Sequence, residues 1–235
     1  PYYNAALNLQ TAKTNDQSAT LIEQIAGVYL SLNQKDQSLD MYFQLLEITL
    51  SKKDTLQAKR ILEKIALIYS LSSDIENSLK YNLQILEINK QLDDAVSTAA
   101  RLNVIGKHYQ DLKNFDKALE YYQAALSMNR KANKHGENDN SIVANLINIG
   151  TIYQSRGDNR NSIRSFNEAL EITEKTGTPV EIAVMHNYLA SLYLAQGNYS
   201  EAENHTKVSI SLLSGTDNKR LLARNYKRLS EIYQK

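Results

Sequence analysis

The chain has no cysteine and no tryptophan, and only 2 prolines and 8 glycines in 235 residues. Without cysteine there is no disulfide framework, no thiolate metal site and no thiol nucleophile. So few turn-forming residues argue against an all-β chain, which needs Gly- and Pro-rich turns at short intervals. No apolar run approaches the roughly 20 residues of a membrane span. An excess of one charge is missing too: 27 Lys and Arg stand against 26 Asp and Glu, a net charge of +1. That balance removes the electrostatic case for a dedicated nucleic-acid binder. What is present is length and apolar content, 42% hydrophobic, enough for one elongated or one to two compact domains with a core. The surplus is tyrosine, 15 in all. A cysteine-free chain suits cytoplasm and periplasm alike. Pro1 is not a translation start, so the chain reads as a processed or excised piece from which a targeting signal would be missing.

Six of the tyrosines, Tyr29, Tyr69, Tyr109, Tyr153, Tyr193 and Tyr233, recur at spacings of 40, 40, 44, 40 and 40. Three residues before each stands a small residue: Ala26, Ala66, Gly106, Gly150, Ala190 and Ser230. Four before comes an aliphatic: Ile25, Ile65, Ile105, Ile149, Leu189 and Leu229. Offsets of 3 and 4 trace one face of a helix, and the small position suits the close approach of a neighbour. Nine residues after the first five tyrosines come Ser38, Ser78, Ala118, Ser162 and Ala202, each inside a second amphipathic run. Three of these runs contain Leu46-Glu-Ile48, Leu86-Glu-Ile88 and Leu170-Glu-Ile172. Turn-formers separate the runs, among them Asn33-Gln-Lys-Asp36, Ser72-Ser-Asp74, Gly157-Asp-Asn159 and Gly197-Asn198. Gly or Asn closes one helix, and Asp, Asn or Ser caps the next. The unit is helix A, short turn, helix B, and its apolar face is buried only by stacking on its neighbours.

Small–x–x–Tyr in helix A followed by Gly-Asn-Tyr/Phe-x-x-Ala at the turn resembles the tetratricopeptide repeat. The segments that carry the likeness are Ile149-Gly-Thr-Ile-Tyr153 with Gly157, Lys113-Asn-Phe-Asp-Lys-Ala118, and Gly197-Asn-Tyr-Ser-Glu-Ala202. The period is 40 rather than the family's usual 34 or so, and repeats 1 and 2 lack the turn glycine. Units this long resemble kinesin light chain, spindle-orientation adaptors, Rap-type peptide-pheromone receptors and the input domains of some bacterial sensor kinases. The resemblance implies an all-α, right-handed superhelical solenoid. Repeats are expected at 19–52, 59–92, 99–132, 143–176 and 183–216. An orphan B-like helix is expected at 1–13, and a half repeat or cap at 219–235. Both ends cut a repeat in half, so the natural chain is expected to continue; a stop codon soon after Lys235 would contradict this.

Catalytic and metal-binding constellations are hard to find. His108 stands where other repeats carry Val28, Ile68 and Ile152, and reads as a packed helix residue. His186 and His205 are placed to meet inside repeat 5, as a local polar contact lacking a third metal ligand. There is no Ser/His/Asp order, no phosphate-binding Gly loop and no isolated carboxylate pair. Asn198-Tyr-Ser200 and Asn204-His-Thr206 match the glycosylation pattern but fall at or within a helix. The expectation is a non-enzyme with no cofactor and no metal.

In the family it resembles, A helices line the concave face, and residues off the packing stripe point into it. That implies Asn103, Lys107 and Gln110 in repeat 3, Asn148, Thr151 and Gln154 in repeat 4, Asn187 and Ser191 in repeat 5, and Arg224 and Arg228 in the last unit. Side-chain amides both donate and accept hydrogen bonds, which suits an extended peptide backbone. The chaperone-tail clamp of the family is incomplete, since Ile147, Thr151 and Tyr188 stand at its earlier positions. The expected partner is a protein or extended peptide, with neither nucleic acid nor membrane contacted by this region and a homodimer left open. A sensory or regulatory input region of a larger bacterial signalling protein, such as a sensor histidine kinase or a transcriptional regulator, is the expected context. A stand-alone adaptor or a Rap-type pheromone receptor is the alternative.

Overall fold

A computed structural model describes residues 16–133, 136 and 139–235. The orphan helix expected at 1–13, His135 and most of the four-residue excess between repeats 3 and 4 lie outside the described residues. Those described form eleven α-helices and no strand. They divide into two compact units, one ending at Lys113 and the other beginning at Asn114. The first holds α1 (Asp16–Ser31), α2 (Lys35–Ser51), α3 (Thr55–Leu71), α4 (Ile75–Gln91) and α5 (Ala95–Asp111). The second holds α6 (Phe115–Ala132), α7 (Asp139–Ser155), α8 (Asn159–Thr176), α9 (Pro179–Ala195), α10 (Tyr199–Leu213) and α11 (Lys219–Tyr233).

The 40-residue period has a simple origin. Helices α2 to α5 each run 17 residues, separated by three-residue turns, so a hairpin of two helices and two turns repeats at 40. Nearly every turn is built alike. Its middle residue is left-handed: Asn33, Lys53, Ser73, Asp93 and Lys113, then Gly157 and Gly197. The missing turn glycines of repeats 1 and 2 therefore leave the geometry intact, because Asn33 and Ser73 adopt it with φ of 58° and 59°. The following N–H reaches back to the carbonyl of the register tyrosine, as in Gln34 to Tyr29 (2.8 Å), Asp158 to Tyr153 (2.9 Å) and Asn198 to Tyr193 (2.9 Å). This closes the A helix in the manner of a Schellman motif. The same residue then opens the B helix: Asp74, Asp158 and Asn198 accept from the backbone N–H three residues on.

Within a hairpin the two series of small residues meet. Ser38 Oγ donates to Ala26 O (2.8 Å), Ser78 Oγ to Ala66 O (3.0 Å) and Ser162 Oγ to Gly150 O (2.9 Å). The absence of bulk brings the backbones together, and the hydroxyl satisfies a carbonyl that already serves the helix. At Gly150 an added Cβ would lie 2.6 Å from the Phe166 ring. The core is aliphatic on the A helices (Ile65, Ile105, Leu189), and the B helices add Leu45, Ile85 and Leu213 together with the aromatics Tyr42, Tyr122 and Phe166, all nearly or wholly buried. The six register tyrosines are less buried than their spacing suggests. Five are half-buried, and Tyr233 is exposed.

Candidate functional site

In the second unit the A helices α7 and α9 leave a gap between them. It forms a cavity of about 290 Å³ walled by Val143 and Ile147 of α7 and Val180, Val184 and Met185 of α9. Thr173, Thr176 and Gly177, at the end of α8, also border it. Val143, Ile147, Val180 and Val184 are β-branched with stiff rotamers, and Met185 is the flexible member of the wall. Asn148, Thr151 and Gln154 lie half-buried farther along α7. Thr151 Oγ1 donates to Ile147 O (2.8 Å), which leaves the hydroxyl oxygen free to accept.

The sequence places Asn187, Ser191, Arg224 and Arg228 on this face, and the structure sorts them. Arg224 is exposed. Asn187 and Arg228 are buried, 6% and 8% exposed, and Ser191 is half-buried. The Arg228 guanidinium donates to Asn187 Oδ1 (2.6 Å) and to Ser191 Oγ (2.7 Å), joining α11 to α9. Asn187 Nδ2 donates to Ala183 O (2.8 Å) and to Ser209 Oγ (2.6 Å), and Asn225 Nδ2 reaches the same hydroxyl (2.8 Å). Arg228 is thus a buried cation among neutral acceptors. Burial, with Arg224 beside it, lowers its pKa, while Glu231 opposes the shift.

The A helix of repeat 3 places its three candidates in the first unit. On α5, Asn103 is half-buried and Nδ2 donates to Ala99 O (3.3 Å); Lys107 is exposed and paired with Asp111 (3.4 Å); Gln110 is half-buried. These three stay on the A-helix face of their own unit. His108 is buried, 8% exposed, with Nε2 3.1 Å from Ser78 Oγ and 3.3 Å from Asn82 Nδ2. Arg101 bridges Asn82 Oδ1 (2.6 Å) and Glu63 (2.6 Å). Burial lowers the pKa of both His108 and Arg101; for Arg101, Glu63 partly offsets it. A packed polar network therefore stands where other repeats have aliphatic contacts.

His186 and His205 do meet, with Nδ1 atoms 2.8 Å apart. The Tyr193 ring stacks on His205 at 5.5 Å. Burial, then the second imidazole, pushes His186 down to about 4. Among the described residues no group of three or more His, Cys, Asp or Glu is placed to hold a metal ion, and no helix is long and apolar enough to cross a membrane.

A family model described as tetratricopeptide repeat matches residues 57–131 and 141–215, more than half of the chain. The chain belongs to the tetratricopeptide-repeat family. No curated protein matches it. Several solved tetratricopeptide-like structures are similar to it in fold. BtubC (BKLC) from P. vanneervenii is 16% identical with a TM-score of 0.69, covering 92% of this chain and 87% of that one. The apo form of the quorum sensor NprR from B. thuringiensis is 16% identical with a TM-score of 0.67, covering 93% of this chain and 59% of that one. A signal transduction ATPase with a tetratricopeptide repeat sensor from Pyrococcus horikoshii is 17% identical with a TM-score of 0.66, covering 98% of this chain but 33% of that one. At these identities the likeness is one of fold: an all-α array of helix–turn–helix repeats.

Two features of this tetratricopeptide chain escaped the sequence pattern. The apolar cavity is one, although Ile147 stands where repeats 3 and 5 carry Asn103 and Asn187, an apolar intrusion in a polar series. The inward turn of Asn187 and Arg228 is the other; no single-helix period encodes it.

Proposed function

We propose that this tetratricopeptide chain is a scaffold that binds an extended peptide segment of a partner protein along the A-helix face of its second unit. The observation that carries the reading is the cavity between α7 and α9, apolar at Val143, Ile147 and Val184 and continued by the half-buried Asn148 and Thr151. One apolar side chain of the ligand enters the cavity. The amide of Asn148 and the hydroxyl of Thr151 serve the ligand backbone, whose N–H and C=O groups need partners once shielded from water. Arg228 and Ser191 fix the position of α11 against α9, and so shape the far end of the face. Asn103, Lys107 and Gln110 offer a second, polar stretch in the first unit.

The context that fits best is the sensory or regulatory input region of a larger bacterial signalling protein. It is supported by likeness in fold to a quorum sensor and to a signal transduction ATPase whose sensor is a tetratricopeptide array. A reading frame that continues into a kinase-like or effector segment supports this context, and a free-standing frame favours an adaptor.

The binding test uses a peptide selected from a random extended library against the wild-type chain. Val184→Glu is expected to weaken that peptide at least about tenfold, since a carboxylate would be buried against Ile147 without a partner, while the helical signal is retained. Equal affinity for the variant would contradict the reading.

A further inference from the structure

A second cavity, of about 450 Å³, opens on the B-helix side of the same unit, between α6 and α8 with α7 beneath. It is independent of the peptide-binding reading. Leu126, Ile149 and Tyr153 contribute to its wall, and its charged groups are Arg130, Lys131, Arg164 and Glu168. Arg130 is ion-paired with Glu168. Among the described residues Arg164 and Lys131 have no ion-pair partner. Three cations against one carboxylate leave a local surplus of two positive charges in a concave site of a chain whose net charge is only +1.

The repeat pattern shows how the surplus arises. At the B-helix position after the conserved-register leucine, repeats 1, 2 and 4 carry Glu47, Glu87 and Glu171, whereas repeat 3 has Ser127. At the position of Arg164 the other repeats carry Asp40, Lys80, Glu120 and Asn204. Ser127 lines the cavity, with Arg164 across it on α8. Repeat 5 also has a serine, Ser211, at that position, but the α6–α8 pair is the one in which loss of the glutamate coincides with gain of an arginine. A glutamate at 127 would both fill the opening and neutralise the guanidinium.

We propose that this cavity binds a small phosphate monoester, with its phosphoryl group on Arg164 and Lys131 and its organic part against Tyr153 and Leu126. A phosphoryl group carries about −1.5 to −2 charge at neutral pH, which matches the surplus of two. Guanidinium presents a planar fork of donors suited to its oxygens, and lysine adds a point charge. The volume falls within the roughly 300–1,000 Å³ usual for small-molecule sites, which favours a small ester over an extended polyanion.

The test is calorimetric titration of the whole chain with phenyl phosphate, with inorganic phosphate and with a phosphoserine hexapeptide, at fixed ionic strength in chloride. Saturable binding of phenyl phosphate is expected, tighter than that of inorganic phosphate. Arg164→Gln is expected to weaken it about tenfold or more, the loss of one charge-assisted contact. Ser127→Glu is expected to abolish it, and Ser127→Ala to retain it within about threefold. Both substituted positions are exposed, so the melting temperature should hold and loss of binding cannot be blamed on unfolding. No saturable binding, equal binding by Ser127→Glu, or tighter binding of the phosphopeptide than of phenyl phosphate would overturn the proposal.

Discussion

The Nδ1 atoms of His186 and His205 lie 2.8 Å apart across the α9–α10 hairpin. At that distance one ring donates and the other accepts, so the pair holds one shared proton between two neutral imidazoles. One added proton places an imidazolium inside the fold, and a further one would bring two cations together and remove the acceptor. Tyr193 stacks on His205, and Glu201, the nearby carboxylate, only partly opposes the burial of His205.

Stability is therefore expected to fall as the medium is acidified. In the unfolded chain His186 takes up its proton near 6.5, while in the fold it resists down to about 4. Between those values the unfolded state binds more protons, so the stabilisation present above about pH 6.5 is lost as pH falls toward 4. Melting temperature measured at pH 7, 6, 5 and 4.5 should decline for the wild type and decline less for His186→Leu, which restores the leucine that repeats 2 to 4 carry at this position, Leu62, Leu102 and Leu146. Parallel curves would contradict the shared-proton pair.

Asn187→Ala is expected to destabilise the second unit by about 2 kcal/mol, the cost of stranding buried partners. The substitution leaves the Arg228 guanidinium without one of its acceptors and removes a donor to Ser209. Denaturant unfolding checks this, and an unchanged midpoint would show that the network is slack. Asn148→Ala, on the half-buried part of the same face, is expected to leave the midpoint nearly unchanged.

Gly150→Ala should cost about 1–3 kcal/mol despite alanine's better helix propensity, because overpacking outweighs it. The added methyl would sit 2.6 Å from the fully buried Phe166 ring. If thermal unfolding of this variant matches the wild type, the close approach of α7 and α8 is not fixed by that glycine.

Lys53→Gly is expected to stabilise by roughly 1 kcal/mol, since Lys53 holds φ 58° in a region costly for a side chain. Gly157→Ala, at φ 75°, is expected to lose a similar amount. Equal and opposite shifts in melting temperature would show that the two turns share one geometry.

Much of the fold was legible because tetratricopeptide packing is periodic. The small residues at 26, 66 and 150 mark where a partner helix comes close, and Ser38, Ser78 and Ser162 supply the other side. Turn chemistry was legible only in part. Glycine advertises a left-handed residue at 157 and 197, but Lys53 and Lys113 reach the same conformation with nothing in their side chains to announce it. The site was least legible. Asn187 and Arg228 read as groove residues from their helix positions, yet the chemistry offered by Ser191, Ser209 and Asn225 draws them inward. The apolar cavity depends on the gap between α7 and α9, a quantity that belongs to a pair of helices and to no single one.

Peptide binding on the A-helix face is tested most directly by amide hydrogen exchange of the second unit with and without the library-selected peptide. Added protection is expected in residues 140–154 and 180–191, the two helices that wall the cavity, with α10 little changed. Protection confined to α6 and α8, or spread evenly over the chain, would contradict it.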